Sequence, residues 1–288
     1  MHIQPMLASN EEWNLEDLCY PVIVTPKYDG IRAIRYKDGE LLTRRQKQIP
    51  NLFIRNRIKT ELKDLPGLFD MEIICGEDYH ETESAVMSET HEREHDAVAI
   101  IFDYIGVGQA LSTPYHERLN TFSALGFKLD HCMISPDKVI NNEQDLLSFV
   151  QYIELLGMEG VIVRNPNGPY KQGRCTVKSQ FMLKLVRYET DEAMVVGWEP
   201  AMENLDTSCK KRGNLRPKQM VGSLQCVNSR WPKGFSVGSG WSHEVAKSWY
   251  NNRDLILGKT IKFKFKPYGT KDAPRQPVWL GFRDRSID

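Results

Sequence analysis

The chain has 288 residues, 41% of them hydrophobic, and its 38 Lys+Arg are balanced by 38 Asp+Glu. That length suits one large or two modest domains with buried cores, and no apolar run approaches the roughly 20 residues that would span a bilayer. The start, Met-His-Ile-Gln-Pro followed by Glu11 and Glu12, has neither a basic n-region nor an apolar h-region, so secretion and anchoring are not expected and the cytoplasm is the default compartment.

Six cysteines (Cys19, Cys75, Cys132, Cys175, Cys209, Cys226) stand singly. None has the C-x-x-C spacing of a zinc or redox centre, which leaves reduced structural thiols. The zero net charge hides an asymmetry: residues 1–188 hold 21 Lys+Arg against 27 Asp+Glu, and residues 189–288 hold 17 against 11. An acidic front and a basic back predict two units, 1–188 and 189–288, with a polyanion held chiefly by the second.

Pro21-Val22-Ile23-Val24 predicts a strand that leads into Lys27-Tyr28-Asp29-Gly30 and Arg32. Ile31 to Tyr36 reads as the next strand, and Lys37-Asp38-Gly39-Glu40 as a two-residue hairpin turn with Asp-Gly at the positive-φ positions. That turn sets Ala33 opposite Arg44 and Arg32 opposite Arg45, bringing both arginine sites to the open end of one hairpin beside Lys27.

The acidic stretch Glu77 to Asp96, with His80, His91 and His95 irregularly spaced, reads as a solvated helix or loop rather than a metal cluster. Ala97 to Phe102 is an apolar run ending on Asp103, as in a buried strand that delivers a carboxylate to its rim. Asn142 and Glu143 open a helix with apolar Leu146, Leu147, Val150 and Ile153, closed by Gly157. Val161-Ile162-Val163 follows at once, so Glu159 sits at a strand mouth.

After Tyr188 come short β-rich stretches: Ala193 to Trp198, Gly222 to Val227, Gly234 to Val237 and Thr260 to Phe265. With one helix capped by Ser242, they suit a small barrel such as an OB-fold. The polar segment Ala201 to Met220 lies between the first two and carries Lys210, Lys211, Arg212, Arg216 and Lys218. The expected class is α+β, with antiparallel sheets and helices in front and the barrel behind.

A lysine between tight-turn residues can attack a nucleotide phosphate only when neutral. An ordinary lysine, with a pKa of about 10.4, is neutral about once in a few thousand molecules at pH 7. Nearby cations, partial burial and a metal on the incoming phosphate are therefore expected. Arg32, Arg44 and Lys184 are the candidate cations; Glu72 and Glu159 are the candidate carboxylates for metal and ribose, with Asp29 close by. Attack on the α-phosphate of a nucleoside triphosphate yields a lysyl-nucleotide phosphoramidate and pyrophosphate, a reaction of positioning and charge neutralisation. Each residue alone reads as an ordinary surface or core position, and their joint order carries the chemistry.

That order resembles the ATP-dependent DNA ligases of the covalent nucleotidyltransferase superfamily, in particular the small chlorella virus type without added domains, over nearly the whole chain. Thr25-Pro26-Lys27-Tyr28-Asp29-Gly30-Ile31-Arg32, Leu42-Thr43-Arg44, Asp70-Met71-Glu72, Phe102-Asp103-Tyr104, Glu159-Gly160-Val161-Ile162-Val163-Arg164 and Tyr170-Lys171-Gln172-Gly173-Arg174 match successive motifs. Gly222-Ser223-Leu224, Lys262-Phe263-Lys264-Phe265 and Arg275 to Arg283 resemble the OB-domain motifs. Two departures stand out: Lys184-Leu185-Val186 has valine where a second lysine is usual, and the end Arg283-Asp284-Arg285-Ser286-Ile287-Asp288 replaces R-x-D-K.

The resemblance implies that Lys27 takes AMP from ATP with Mg2+ or Mn2+, passes it to the 5′-phosphate of a nick in duplex DNA, and that the 3′-hydroxyl then displaces AMP. It assigns ATP to Thr25, Lys27, Arg32, Glu72, Phe102, Glu159 and Lys184, with Phe102 stacking on adenine and Glu72 holding the ribose. It gives the metal to Glu159, and the reading of the residues above adds Glu72 as a second metal carboxylate. The nick falls to Arg32, Arg44 and Arg174, and Lys210, Lys211 and Arg212 to a latch with which a monomer encircles DNA, in line with the sequence-independent affinity of phosphate contacts. An RNA ligase, a GTP-using mRNA capping enzyme and a non-catalytic DNA-binding module share parts of this pattern.

Overall fold

In the computed structural model, residues 3–126, 129–204, 215–267 and 272–283 are described, and the chain divides into units Met1–Val186 and Arg187–Asp288. The first unit begins with β1 (Met6–Leu7), β2 (Val22–Pro26), β3 (Ile31–Arg35), β4 (Leu41–Thr43), α1 (Leu52–Glu61), β5 (Leu68–Ile74) and α2 (Tyr79–Met87). It continues with β6 (Val98–Ile105), α3 (Tyr115–Ala124), β7 (Cys132–Ile134), β8 (Lys138–Ile140), α4 (Glu143–Leu155), β9 (Gly160–Arg164), β10 (Gly173–Arg174) and β11 (Leu183–Val186).

These strands build two main sheets, ordered β11-β9-β2-β8 and β4-β3-β5-β6-β7, while β1 and β10 form a short parallel pair. Strand alternation sorts their side chains. Ala33, Phe69, Met71 and Ile73 pack outward against α1, α2 and α3, while Val22, Val24, Val161 and Val163 pack outward against α4. The inner faces meet through a third cluster that contains Ile34, Leu42, Tyr170 and Ile162. Because side chains alternate along a strand, Arg32, Asp70 and Glu72 share the inner face with Ile34.

The β3–β4 hairpin differs from the expected one. Ala33 pairs with Thr43 and Ile34 with Leu42, while the Tyr36 amide donates to Glu40 O. Lys37-Asp38-Gly39 is thus a three-residue loop, with Gly39 at φ 85° as its left-handed closing residue. The Arg44 amide donates to Arg32 O at 3.1 Å, so Arg44, not Arg45, lies across from Arg32. The reason is burial: the other register would have turned Arg44 into the core around Ala33.

The acidic stretch forms α2, capped by Asp78, and a helical turn over Glu94–Asp96, whose Glu94 accepts from Asn51 and the His91 amide. Helix α4 starts where expected, with the Asn142 side chain accepting from Asp145 N. Leu146 and Ile153 are buried, but Leu147 is exposed because its position turns to the outer face.

In the second unit β12 (Glu189–Asn204), β13 (Leu215–Val227), β14 (Phe235–Val237), α5 (His243–Asn251), β15 (Thr260–Lys266) and β16 (Arg275–Phe282) follow in order. The antiparallel order is β14-β13-β12-β15-β16, and the Trp279 amide on β16 reaches Ser239 O just after β14 at 2.9 Å. An apolar cluster forms its core, with ring contacts linking Trp231, Phe235, Phe263 and Phe265. Ser242 caps α5 as expected. The chain has the expected α+β class, with an OB-type second unit. The strands β12 and β13 extend beyond the expected Trp198 and Gly222 into the polar segment Ala201 to Met220, pairing Met202 with Pro217 and Asn204 with Leu215. Lys210, Lys211 and Arg212 lie outside the described residues.

Candidate active site

Lys27 follows the last residue of β2, and its amide donates to Gly160 O at 2.8 Å, which fixes it opposite the start of β9. Glu159 is delivered there by the end of α4. The Met158 amide bonds to Ile153 O and the Gly157 amide to Glu154 O, with Gly157 at φ 75°. This is a Schellman closure that reverses the chain in two residues. Glu159 then forms an ion pair with Lys27 Nζ, the carboxylate side chain being 2% exposed and the lysine 24%. Gly160 is needed at the crossing: it has φ 137°, and a Cβ would lie 2.3 Å from Leu185 O.

Glu72 faces Lys27 from the other sheet. Gly30 allows the approach, since a Cβ there would lie 2.3 Å from Ile73 O. Burial pushes the Glu72 carboxyl up to about 7, against the pull of Arg32 and Lys27.

Arg32 stands directly across from Glu72 and forks onto Asp70, with Nε to Oδ1 at 2.8 Å and Nη2 to Oδ2 at 2.5 Å. Tyr170 donates its hydroxyl to the same Asp70 at 2.6 Å. Burial alone would lower the Arg32 pKa, but Asp70 holds it above its ordinary value. Arg44 is exposed. Partial burial and the charges of Arg174, Arg32 and Arg45 push its pKa down, the signature of a cationic cluster suited to an anion. Arg174 joins it through the β1–β10 pair, where its guanidinium also donates to Ala8 O at 2.9 Å.

Phe102 occupies a β-bulge. Asp70 pairs with Asp103 and Met71 with Ile101, so one extra residue is inserted between them. The bulge turns both Phe102 and Asp103 towards the inner face. The Phe102 ring lies 5.1 Å from the Arg32 guanidinium and 5.5 Å from that of Arg164.

Asp103 is not at a strand rim as the sequence suggests. Strand β6 continues to Ile105, and Asp103 is 0% exposed. Arg118 grips it at 2.8 and 3.0 Å and Arg164 at 2.5 Å. Burial would raise its pKa, but these two arginines hold it below the usual range. Sequence reasoning gave Arg118 no part. Its signal was a lone charge among Tyr115, Arg118 and Phe122, the buried positions of α3.

Thr25, Ile162 and Lys184 form one row across β2, β9 and β11, which puts Lys184 on the inner face with its Nζ 3.3 Å from Asn10 Oδ1. Val186 pairs with Gly160, one strand further from Lys27. The structure therefore gathers Lys27, Glu159, Glu72, Arg32 and Phe102 around one cleft, with Arg44 and Arg174 as a cationic group beside Arg32. Thr25 and Lys184 lie along the floor.

A lysine paired with a buried carboxylate, faced by arginines and an aromatic ring from an opposing sheet, is an arrangement suited to attack on a nucleotide phosphate. Residues 5–185 match the family model for the ATP dependent DNA ligase domain, and residues 212–283 that for the DNA ligase OB-like domain. The chain belongs to the ATP-dependent DNA ligase family, enzymes that form phosphodiester bonds through nucleotidyl transfer. It is similar to a structure of the chlorella virus DNA ligase-adenylate, at 28% identity over 98% of each chain with a TM-score of 0.57. The DNA ligase of Haemophilus influenzae is 26% identical over 261 residues, covering 88% of this chain and 83% of that one. A structure of a Lig E DNA ligase, 22% identical, shares the fold with a TM-score of 0.70, over 98% of this chain and all of that one.

Proposed function

We propose that this ATP-dependent DNA ligase seals nicks in duplex DNA through an AMP bound to Lys27, with the cleft residues in the following roles. Lys27 Nζ bonds to the α-phosphorus of ATP as the bond to pyrophosphate breaks. The observation that carries this reading is the Lys27–Glu159 pair, which holds the nucleophile between fixed strands and sets a carboxylate beside the proton it must lose. Arg32 and Lys184 offset phosphate charge, Glu72 accepts from the ribose, Phe102 carries the adenine, and Thr25 lines the floor.

Glu72 and Glu159 both lie in the field of Lys27 and offer the hard oxygen donors that Mg2+ or Mn2+ takes. A divalent cation bound there would neutralise triphosphate charge. Arg44 and Arg174 then hold the 5′-phosphate of the nick. The second unit, carrying the basic surplus, grips the duplex, with the extended β12–β13 hairpin as a latch by which a monomer encircles DNA. We place this action in the cytoplasm of a bacterial or infected host cell, with its DNA.

Incubation with α-labelled ATP tests the chemistry: wild-type protein should carry label that Lys27→Ala abolishes and chelation of divalent cations prevents. Sealing of singly nicked duplex DNA beside an RNA-containing duplex, and GTP beside ATP, tests the substrate. An unlabelled wild type, or label that survives Lys27→Ala, would overturn the mechanism.

A further inference from the structure

We propose that Arg164 is a positioning residue for nucleotide binding: it braces the Phe102 ring against the sheet that carries Lys27 and so holds the base platform at a fixed distance from the nucleophile. The inference rests on the reading of Phe102 as that platform.

Three observations carry it. First, Arg164 belongs to β9, whose opening residue Gly160 accepts from the Lys27 amide, while its guanidinium bonds to Asp103 on β6 of the opposing sheet. It is therefore a strut across the cleft, joining the strand beside the lysine to the bulge beside the ring. Second, the guanidinium lies 4.5 Å from the Tyr115 ring centre and 5.5 Å from that of Phe102, and the Tyr115 hydroxyl donates to Phe102 O at 3.1 Å. The platform is held at its backbone by one neighbour and at its ring by the other. Third, Arg164 is 1% exposed, yet its Nε has no hydrogen-bond partner among the described residues. A buried donor left unpaired is costly, and here it accompanies a flat cation stacked against aromatic rings. Arg118 already grips Asp103 with two bonds, so neutralising that carboxylate does not by itself require a second arginine. A lysine would keep the charge but lose the flat guanidinium that lies over the two rings.

The experiment compares ATP with ribose 5-triphosphate, which lacks the base, as ligands of Arg164→Lys, Phe102→Leu and the double variant. Arg164→Lys should raise the ATP concentration for half-maximal self-adenylylation about tenfold. The saturating rate and the inhibition constant of ribose 5-triphosphate should stay near wild type. In Phe102→Leu, Arg164→Lys should add nothing further. Additive effects, or equal losses for both ligands, overturn the proposal and leave Arg164 as general scaffold. If Phe102→Leu leaves ATP affinity unchanged, the platform reading falls and this inference with it. Should Arg164→Lys lack a cooperative melting transition, Tyr115→Phe takes its place, with a shift of about threefold expected and additivity with Phe102→Leu again overturning the proposal.

Discussion

The two units bury different things. The interior of the first holds two aspartates facing each other across β5 and β6, with Arg32, Arg118 and Arg164 around them. The second unit is centred instead on an aromatic and aliphatic cluster around Trp231, Phe235, Phe263 and Phe265. Burying ions is costly and is offset only by well-formed partners, whereas apolar burial stabilises by roughly 1.5–3 kcal/mol per large side chain. The contrast teaches that the first unit gives up some packing stability for a polar frame with one geometry, while the core of the second rests on apolar packing.

The largest test is Asp103→Asn, which leaves Arg118 and Arg164 buried without their carboxylate. It should cost the first unit about 3–5 kcal/mol in urea unfolding and abolish adenylylation. Phe263→Ala should cost the second unit about 3–5 kcal/mol, yet labelling of Lys27 should persist below the melting transition. Equal loss of labelling in both variants would dissolve the contrast.

A subtler test uses pH. The Glu72 carboxyl is lifted from an ordinary 4.5 to about 7 in the folded chain, so the folded state favours the proton. Its contribution to stability is present below pH 4.5 and is lost as pH rises to about 7. ATP affinity should move the opposite way, increasing as Glu72 ionises to accept from the ribose. Glu72→Gln should flatten both slopes, and a pH-independent wild type would remove Glu72 from this role.

Smaller still, Lys210, Lys211 and Arg212 changed together to Ala should weaken nick binding and lower its salt slope by up to about 3 with self-adenylylation unchanged. An unaltered salt slope would show that the latch does not touch phosphate.

Much of this was legible in the sequence because the relevant signals are local. The Asn142 cap and Gly157 closure announce α4, and the immediate apolar run places Glu159 at a strand mouth. The hairpin register was not legible, since Lys37-Asp38-Gly39 fits both a two- and a three-residue loop. Only the core around Ala33 chooses between them. Asp103 was misplaced for a related reason. A bulge is decided by what both faces of a sheet must bury, and the partners on α3 and β9 are distant in sequence. Arg164 was visible as part of a motif, but its strut across the cleft exists only once two sheets face each other.

The Schellman closure at Gly157 has a consequence for how this chain can change over generations. A helix turns about 100° per residue, so adding or deleting one residue within α4 would swing its exit away from β9 and carry Glu159 off Lys27. Helix α4 packs on the outer face of its sheet, where sequence drift is ordinarily cheap. Its residues can be exchanged, but their number is held by the lysine on the other side.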